Sequence, residues 1–212
     1  LFTEMIPLKR RWVGEGTVSL AEDLELLGLM RRSGCQAMLI GFESVQKETL
    51  NSMLKTKNLK LDYSEAMHRF HGEGIAILGA FVFGFDHENK DVFDQTLEFA
   101  FAHRVELAQL RPLTPLPGTP FYQRLLEEDR LLVPEWWLRD DKPKIPLFRP
   151  KGMTPDEFLN GLNRISKQFY SVSGIMRRFL GISPWKRSVM SWRLYAGANL
   201  AFRKRYYKGL MT

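Results

Sequence analysis

Cysteine is all but missing from this chain. Cys35 is the only one among 212 residues, so neither a disulfide framework nor a site built from several of its own thiolates is available, and a reducing cytosol is the compartment this composition fits. No uncharged apolar run reaches 18 residues and no signal peptide is recognisable, which argues against a membrane span and gives no sign of secretion. Histidine is scarce. His68 and His71 have a helical spacing that can bind metal, but no third ligand is evident, and His71 stands near a helix end where positive charge is favoured. His87 and His103 read as loop and helix-end surface residues, and no serine–histidine–acid set, phosphate-cradling glycine loop or zinc pattern stands out.

Acid is absent from one region. Residues 164–212 hold eleven Lys/Arg and no Asp or Glu, whereas the remainder holds 20 basic and 24 acidic residues, so the excess behind the net charge of +7 lies in the tail. Trp185, Trp192, Tyr195, Phe202, Tyr206 and Tyr207 are interleaved with those cations. Such a pattern suits a helical cap packing its aromatics on the preceding fold, a membrane interface, or RNA bound through phosphate contacts and stacking.

Three apolar stretches are present: 36–44 (QAMLIGFES), 75–86 (IAILGAFVFGFD) and 105–120 (VELAQLRPLTPLPGTP). Each reads as a buried strand ending in a polar or Gly/Pro-marked turn before a helical pattern, and 11–19 (RWVGEGTVS) adds an earlier strand, weakened by Gly14 and Gly16. Ser19 with Glu22, Asp62 with Glu65, and Thr154-Pro155-Asp156-Glu157 have the form of capping boxes. Amphipathic stripes follow them: Leu20, Leu24 and Leu27; Tyr63, Met67 and Phe70; Phe158, Leu162, Ile165 and Phe169. Phe93, Leu97 and Ala100 form another. Alternating strands and covering helices indicate an α/β fold with parallel strands, whose chemistry gathers at the strand C-terminal ends.

An eight-stranded barrel takes about 250 residues, so four units over 11–126 amount to half of one. Half a barrel leaves open edges, and the chain begins with Leu1. The expectation is a partial parallel (β/α) barrel over 1–126, an irregular connector over 127–153 and a basic helical extension over 154–212, with a missing N-terminal barrel portion or a complementing chain as partner.

The residues at the strand ends admit plain readings. Ser44 N-caps the following helix and Glu43 lies near its positive end. Phe81 and Phe83 share a face by alternation, without the sequence saying which. Asp86 belongs to a polar turn, or lines the mouth with Glu15 and Thr17, which share a face with Ser19. Three prolines and a glycine in 113–120 make a stiff loop poor in N–H donors, around Thr114 and Pro115.

In their order, Gly34-Cys35, Gly41-Phe42-Glu43-Ser44, the run from Gly79 to Asp86 and the run from Leu113 to Pro120 resemble the later half of a radical S-adenosylmethionine (SAM) barrel. The resemblance is to the branch that also carries a cobalamin-binding domain, and it covers nearly the whole chain. It implies SAM as cofactor, with Glu43 and Ser44 at the ribose or amino group, Phe81 or Phe83 beside adenine, and Thr114 and Pro115 reading the purine edge. It also implies a four-iron, four-sulfur cluster held by a CxxxCxxC loop, which this chain lacks, and cobalamin held by a domain outside it. The function so implied is the SAM-binding and substrate wall of a cytoplasmic radical SAM enzyme, a methyltransferase or related carbon-radical catalyst, inactive as this chain alone. The alternative is a non-catalytic scaffold whose tail binds a membrane surface or RNA.

Overall fold

The computed structural model describes residues 1–46, 49–50, 62–139, 146–180 and 189–207. Four strands, β1 (Trp12–Gly16), β2 (Cys35–Glu43), β3 (Ala76–Phe83) and β4 (Leu107–Pro112), pair side by side in chain order, all parallel. Every C-terminal strand end therefore lies at one rim. The α/β partial barrel expected from the apolar runs is present, although β4 stops at Pro112 and leaves 113–119 as the stiff loop above it.

A short helix, α1 (Phe2–Met5), leads in; α2 (Leu24–Arg32), α3 (Tyr63–Gly72), α4 (Val92–Ala102) and α5 (Pro120–Glu127) follow the strands. Asp62 caps α3 by accepting from the N–H groups of Ser64 and Glu65, while the Glu65 carboxylate turns to Arg69 instead of closing the box. Ser19 and Glu22 do not start a helix. Burial of Val18 and Ala21 winds 18–22 into a 3₁₀ turn, and Asp23 takes over as the cap of α2, accepting from Leu26 N–H at 2.8 Å. The register of α2 shifts with it: Leu27 and Met30 are buried and Leu24 is exposed.

One face of the sheet is covered and the other is open. Met38, Ile40 and Phe42 of β2, Ile77, Phe81 and Phe83 of β3, and Ala108 and Leu110 of β4 are buried on the helix side. Phe42, Phe81 and Phe99 of α4 form one aromatic cluster, and Phe83 stacks on Phe93 at 5.1 Å. The open face presents Glu15, Leu39, Leu78 and Leu107 in one row and Gly41, Ala80 and Gln109 in the next, none of them fully buried.

The extension comprises α6 (Pro155–Phe169), α7 (Val172–Leu180) and α8 (Val189–Tyr207). Thr154 and Glu157 form the reciprocal capping box with Pro155 at the first position, and Phe158, Leu162, Ile165 and Phe169 are all buried. Gly161 lets α6 approach α4, since a Cβ there would stand 2.2 Å from the Phe93 ring. The extension also finishes the outer edge of β4. Tyr170 Oη accepts from Ala108 N–H (3.0 Å) and donates to Ala108 C=O (2.7 Å), and Tyr206 Oη accepts from Leu110 N–H (3.0 Å). Two phenols thus occupy backbone groups that a further strand would otherwise take. Tyr170 stacks on both Phe202 and Tyr206, so these tail aromatics pack as a cap; Trp185 and the Trp192 side chain lie outside the described residues.

Candidate functional site

At the C-terminal end of β2 the pairing with β3 slips, so that Phe42 and Glu43 together face Phe81. Ser44 N–H donates to Phe42 C=O at 2.9 Å, a two-residue closure centred on Glu43, whose φ is +62°. A γ-turn of this hand is rare and strained for a residue with a side chain. The bulge and the turn re-aim Glu43 at the rim, where it remains partly exposed.

The next residue is a clasp. Ser44 is buried and its hydroxyl donates to Glu88 Oε1 at 2.8 Å, while Glu88 Oε2 accepts from Gly84 N–H (2.8 Å) and Phe85 N–H (3.2 Å). Burial pushes the Glu88 carboxyl up from its ordinary value, against the opposing pull of those three donors. Gly84, at φ +107°, makes the turn that delivers its N–H to Glu88. The pair ties the ends of β2 and β3 together beneath Glu43.

Above β3 and β4 lies a hollow of about 360 Å³. Phe85, Asp86 and His87 line it from one loop, Leu113, Thr114 and Leu116 from the other, and Phe121 and Arg124 from α5. Thr119 accepts from Tyr122 N–H and donates to Leu116 C=O, fixing the start of α5 against the loop. Asp86 is the hub of an ion cluster: Arg130 Nη2 reaches Oδ1 at 2.8 Å, Arg124 Nη2 reaches Oδ2 at 3.2 Å, and Lys151 Nζ stands 3.7 Å away. Arg130 also binds Glu128, and its hydrogen bond, followed by that of Lys151, holds the exposed Glu128 carboxyl below the usual range.

No protein-family model matches the chain. It is 33% identical over 181 residues to bacteriochlorophyllide d C-12(1)-methyltransferase of Chlorobaculum tepidum, covering 85% of this chain and 39% of that protein. It is 26% identical over 204 residues to the anaerobic magnesium-protoporphyrin IX monomethyl ester cyclase of Cereibacter sphaeroides, covering 94% of this chain and 31% of the other. Among solved structures it superposes on the radical S-adenosylmethionine methyltransferase TsrM of Kitasatospora setae, with cobalamin and a [4Fe-4S] cluster bound. That match has a TM-score of 0.51 at 14% identity, over 98% of this chain and 48% of that one. The chain is a relative of the radical SAM proteins. It spans between about a third and two fifths of the length of the two curated relatives.

In this radical SAM relative the expected site residues separate into two groups. Glu43, Thr114 and Asp86 are at the rim, with Thr17 at the end of β1, where its hydroxyl pairs with Ser19 (2.6 Å); Glu15 is on the open face. The others turn away from it. Phe81 and Phe83 do share a face, but it is the helix-covered one, where Phe42, Phe99 and Phe93 bury both to 1% exposure; the open face carries Ala80 and Val82 instead. Ser44 is enclosed by its bond to Glu88. Pro115 is buried, and its carbonyl accepts from Trp136 Nε1 at 3.0 Å, so that carbonyl already holds an indole.

Cys35 is fully buried at the opposite end of the sheet, and burial, only partly opposed by the backbone of Ala37 and the charge of Arg31, pushes its thiol up to about 11. It is a protonated core residue. Among the described residues no group of three His, Cys, Asp or Glu could hold a metal ion. His71 belongs to a different structure altogether, since its Nε2 stands 3.1 Å from Glu106 Oε1, whose other oxygen accepts from Ile77 N–H at 2.8 Å. Nearby, Arg178 is 1% exposed, donates to the carbonyls of Glu106, Phe169 and Gly174, and stacks 3.6 Å from the Phe169 ring. Glu88, Arg124 and Arg178 carry no sequence signal beyond their charge; Glu106 has one, being the lone acid in the apolar stretch 105–120.

Proposed function

We propose that the chain is the later half of the barrel, with its C-terminal extension, of a radical SAM methyltransferase or cyclase, and that it supplies the SAM-binding and substrate wall. The observation that carries this reading is the convergence of Glu43, held in a strained turn, with the 113–119 loop at one rim above the small Gly41 and Ala80 of the open face. Gly41 and Ala80 lie side by side there and leave room for a flat adenosyl group, so the residues present fit SAM. Glu43 accepts from the ribose hydroxyls or the amino group, Ala80 and Val82 rather than Phe81 and Phe83 take the adenine contact, and Thr114 bounds the far side. The clasp between Ser44 and Glu88 holds Glu43 in place without touching the cofactor.

SAM would supply a methyl group or an adenosyl radical; the protein orients it and keeps water from the reacting carbon. A four-iron, four-sulfur cluster does not fit the residues present, because the one thiol is buried at the far end of the sheet. Its ligands would come from a segment that pairs with the open edge of β1, in the same polypeptide or in another chain. No residue here is assigned to cobalamin.

Titration of SAM into the full-length protein, with Glu43→Gln beside wild type, tests this reading. The variant should bind roughly tenfold more weakly, as loss of a charge-assisted acceptor predicts. Wild-type affinity would remove Glu43 from the site and favour the scaffold alternative.

Attachment to an anionic membrane surface is a second proposal, favoured by Arg193, Lys204 and Arg205, all exposed on α8. Removing the tail would also strip Tyr170 and Tyr206 from β4. The cleaner variant is Lys204→Glu with Arg205→Glu, which should lower binding to anionic liposomes at low salt; unchanged liposome binding, or a loss seen only with RNA, would dismiss it.

A further inference from the structure

The hollow above β3 and β4 has more character than a gap between loops. Phe85, Leu113, Leu116 and Phe121 give it apolar walls, and one guanidinium, that of Arg124, is placed at its edge. The surrounding ion cluster contains two anions, Asp86 and Glu128, and three cations. Arg130 is used up, with Nε on Arg149 C=O (2.8 Å), Nη1 on Glu128 and Nη2 on Asp86. Lys151 Nζ donates to Glu128 Oε1 at 3.1 Å, and both oxygens of Asp86 are taken.

Arg124 is the cation left over. Asp86 meets it at one terminal nitrogen, Nη2, and the Phe121 ring lies 5.6 Å from it, while Nε and Nη1 have no partner among the described residues; one edge of the guanidinium thus keeps two parallel N–H groups, the second of Nη2 beside that of Nε or Nη1. Its side chain is 51% exposed. A preorganised fork with two donors to spare beside an apolar hollow is matched by a planar anion on an apolar body.

We propose that this hollow receives the apolar part of a substrate bearing a carboxylate, and that Arg124 reads that carboxylate through two parallel N–H···O bonds. Asp86 is then a positioning residue for Arg124, and this assignment names the substrate class for the site proposed above, on which it rests. The volume, about 360 Å³, admits part of a larger molecule and leaves the remainder over the open face toward Ala80.

The experiment uses the full-length protein and two fluorescent probes, an anthroyloxy-labelled long-chain carboxylic acid and its methyl ester, which differ only in the charge. Wild type should bind the acid about tenfold more tightly than the ester, the size expected of a charge-assisted pair at a half-exposed site. Arg124→Gln should bring the acid down to the affinity of the ester and leave the ester unchanged, while Lys151→Gln, outside the hollow, should keep the preference. Equal binding of acid and ester by wild type, failure to bind either, or a preference that survives Arg124→Gln overturns the proposal. SAM titration of the same Arg124→Gln protein separates the two readings: intact SAM binding with no acid preference to lose sinks only this one, and normal SAM binding by Glu43→Gln with the preference intact sinks only the other.

Discussion

At the N-terminal ends of β3 and β4, Arg178, Glu106 and Asn199 are almost wholly buried and bonded to one another's backbone or side chains. At the C-terminal rim of the sheet, Glu43 sits in a left-handed turn at the end of β2, and Arg124 stands half exposed above β3 and β4 with donors to spare. The floor joins the sheet to its extension; the rim keeps strain and unspent hydrogen-bonding capacity. Parallel strands permit this division because all their ends of one kind fall together.

The comparison is open to direct attack. Arg178→Met should cost about 3 kcal/mol, since several buried carbonyls lose their donor at once, whereas Arg124→Gln should stay within roughly 0.5 kcal/mol. Urea midpoints of the two variants measure the contrast, and comparable losses would erase the distinction between floor and rim. Tyr170→Phe leaves both backbone groups of Ala108 without their phenol and should cost about 2 kcal/mol, with faster amide exchange at Ala108 and Leu110 as the local signature.

Glu43→Gly should move stability the other way, raising it by about 1 kcal/mol because glycine relieves the positive φ, while SAM binding falls. A variant that gains neither stability nor loses affinity would show that the turn stores nothing. The smallest effect concerns pH. Burial draws the His71 imidazole down, but the charge of Glu106 and its hydrogen bond outweigh this and leave it raised above 6.5. The stability it contributes is therefore complete below its unfolded value and is lost as pH climbs through the raised folded one. Urea midpoints from acid to mildly alkaline pH should decline accordingly, and His71→Gln should flatten the decline.

All four strands and the main helices were legible because apolar runs and caps are local signals. Which face a strand turns inward was not. Phe81 and Phe83 alternate with Ala80 and Val82, so both faces of β3 are apolar in sequence, and only Phe42, Phe93 and Phe99, distant in the chain, decide that the phenyl rings go under the helices. Asp23 prevailed over Ser19 as a cap because Val18 and Ala21 bury themselves first. Glu43 could be read from its place at a strand end, yet its φ could not, since the bulge depends on the register of β2 against β3. Arg178 and Arg177 are adjacent and chemically identical; the helix turns one into the core and leaves the other exposed over Phe101. The bond between Ser44 and Glu88 spans 44 positions, and no spacing rule reaches that far.

The two phenols on β4 set an order of events during synthesis. Residues 107–112 leave the ribosome well before Tyr170, and nearly a hundred residues before Tyr206, so for that interval the last strand carries unpaired amides that another nascent chain could capture. A stop codon or protease cut in α8 would leave the Leu110 amide open for good while Tyr170 still covers Ala108, and precipitation would then report damage far from the rim.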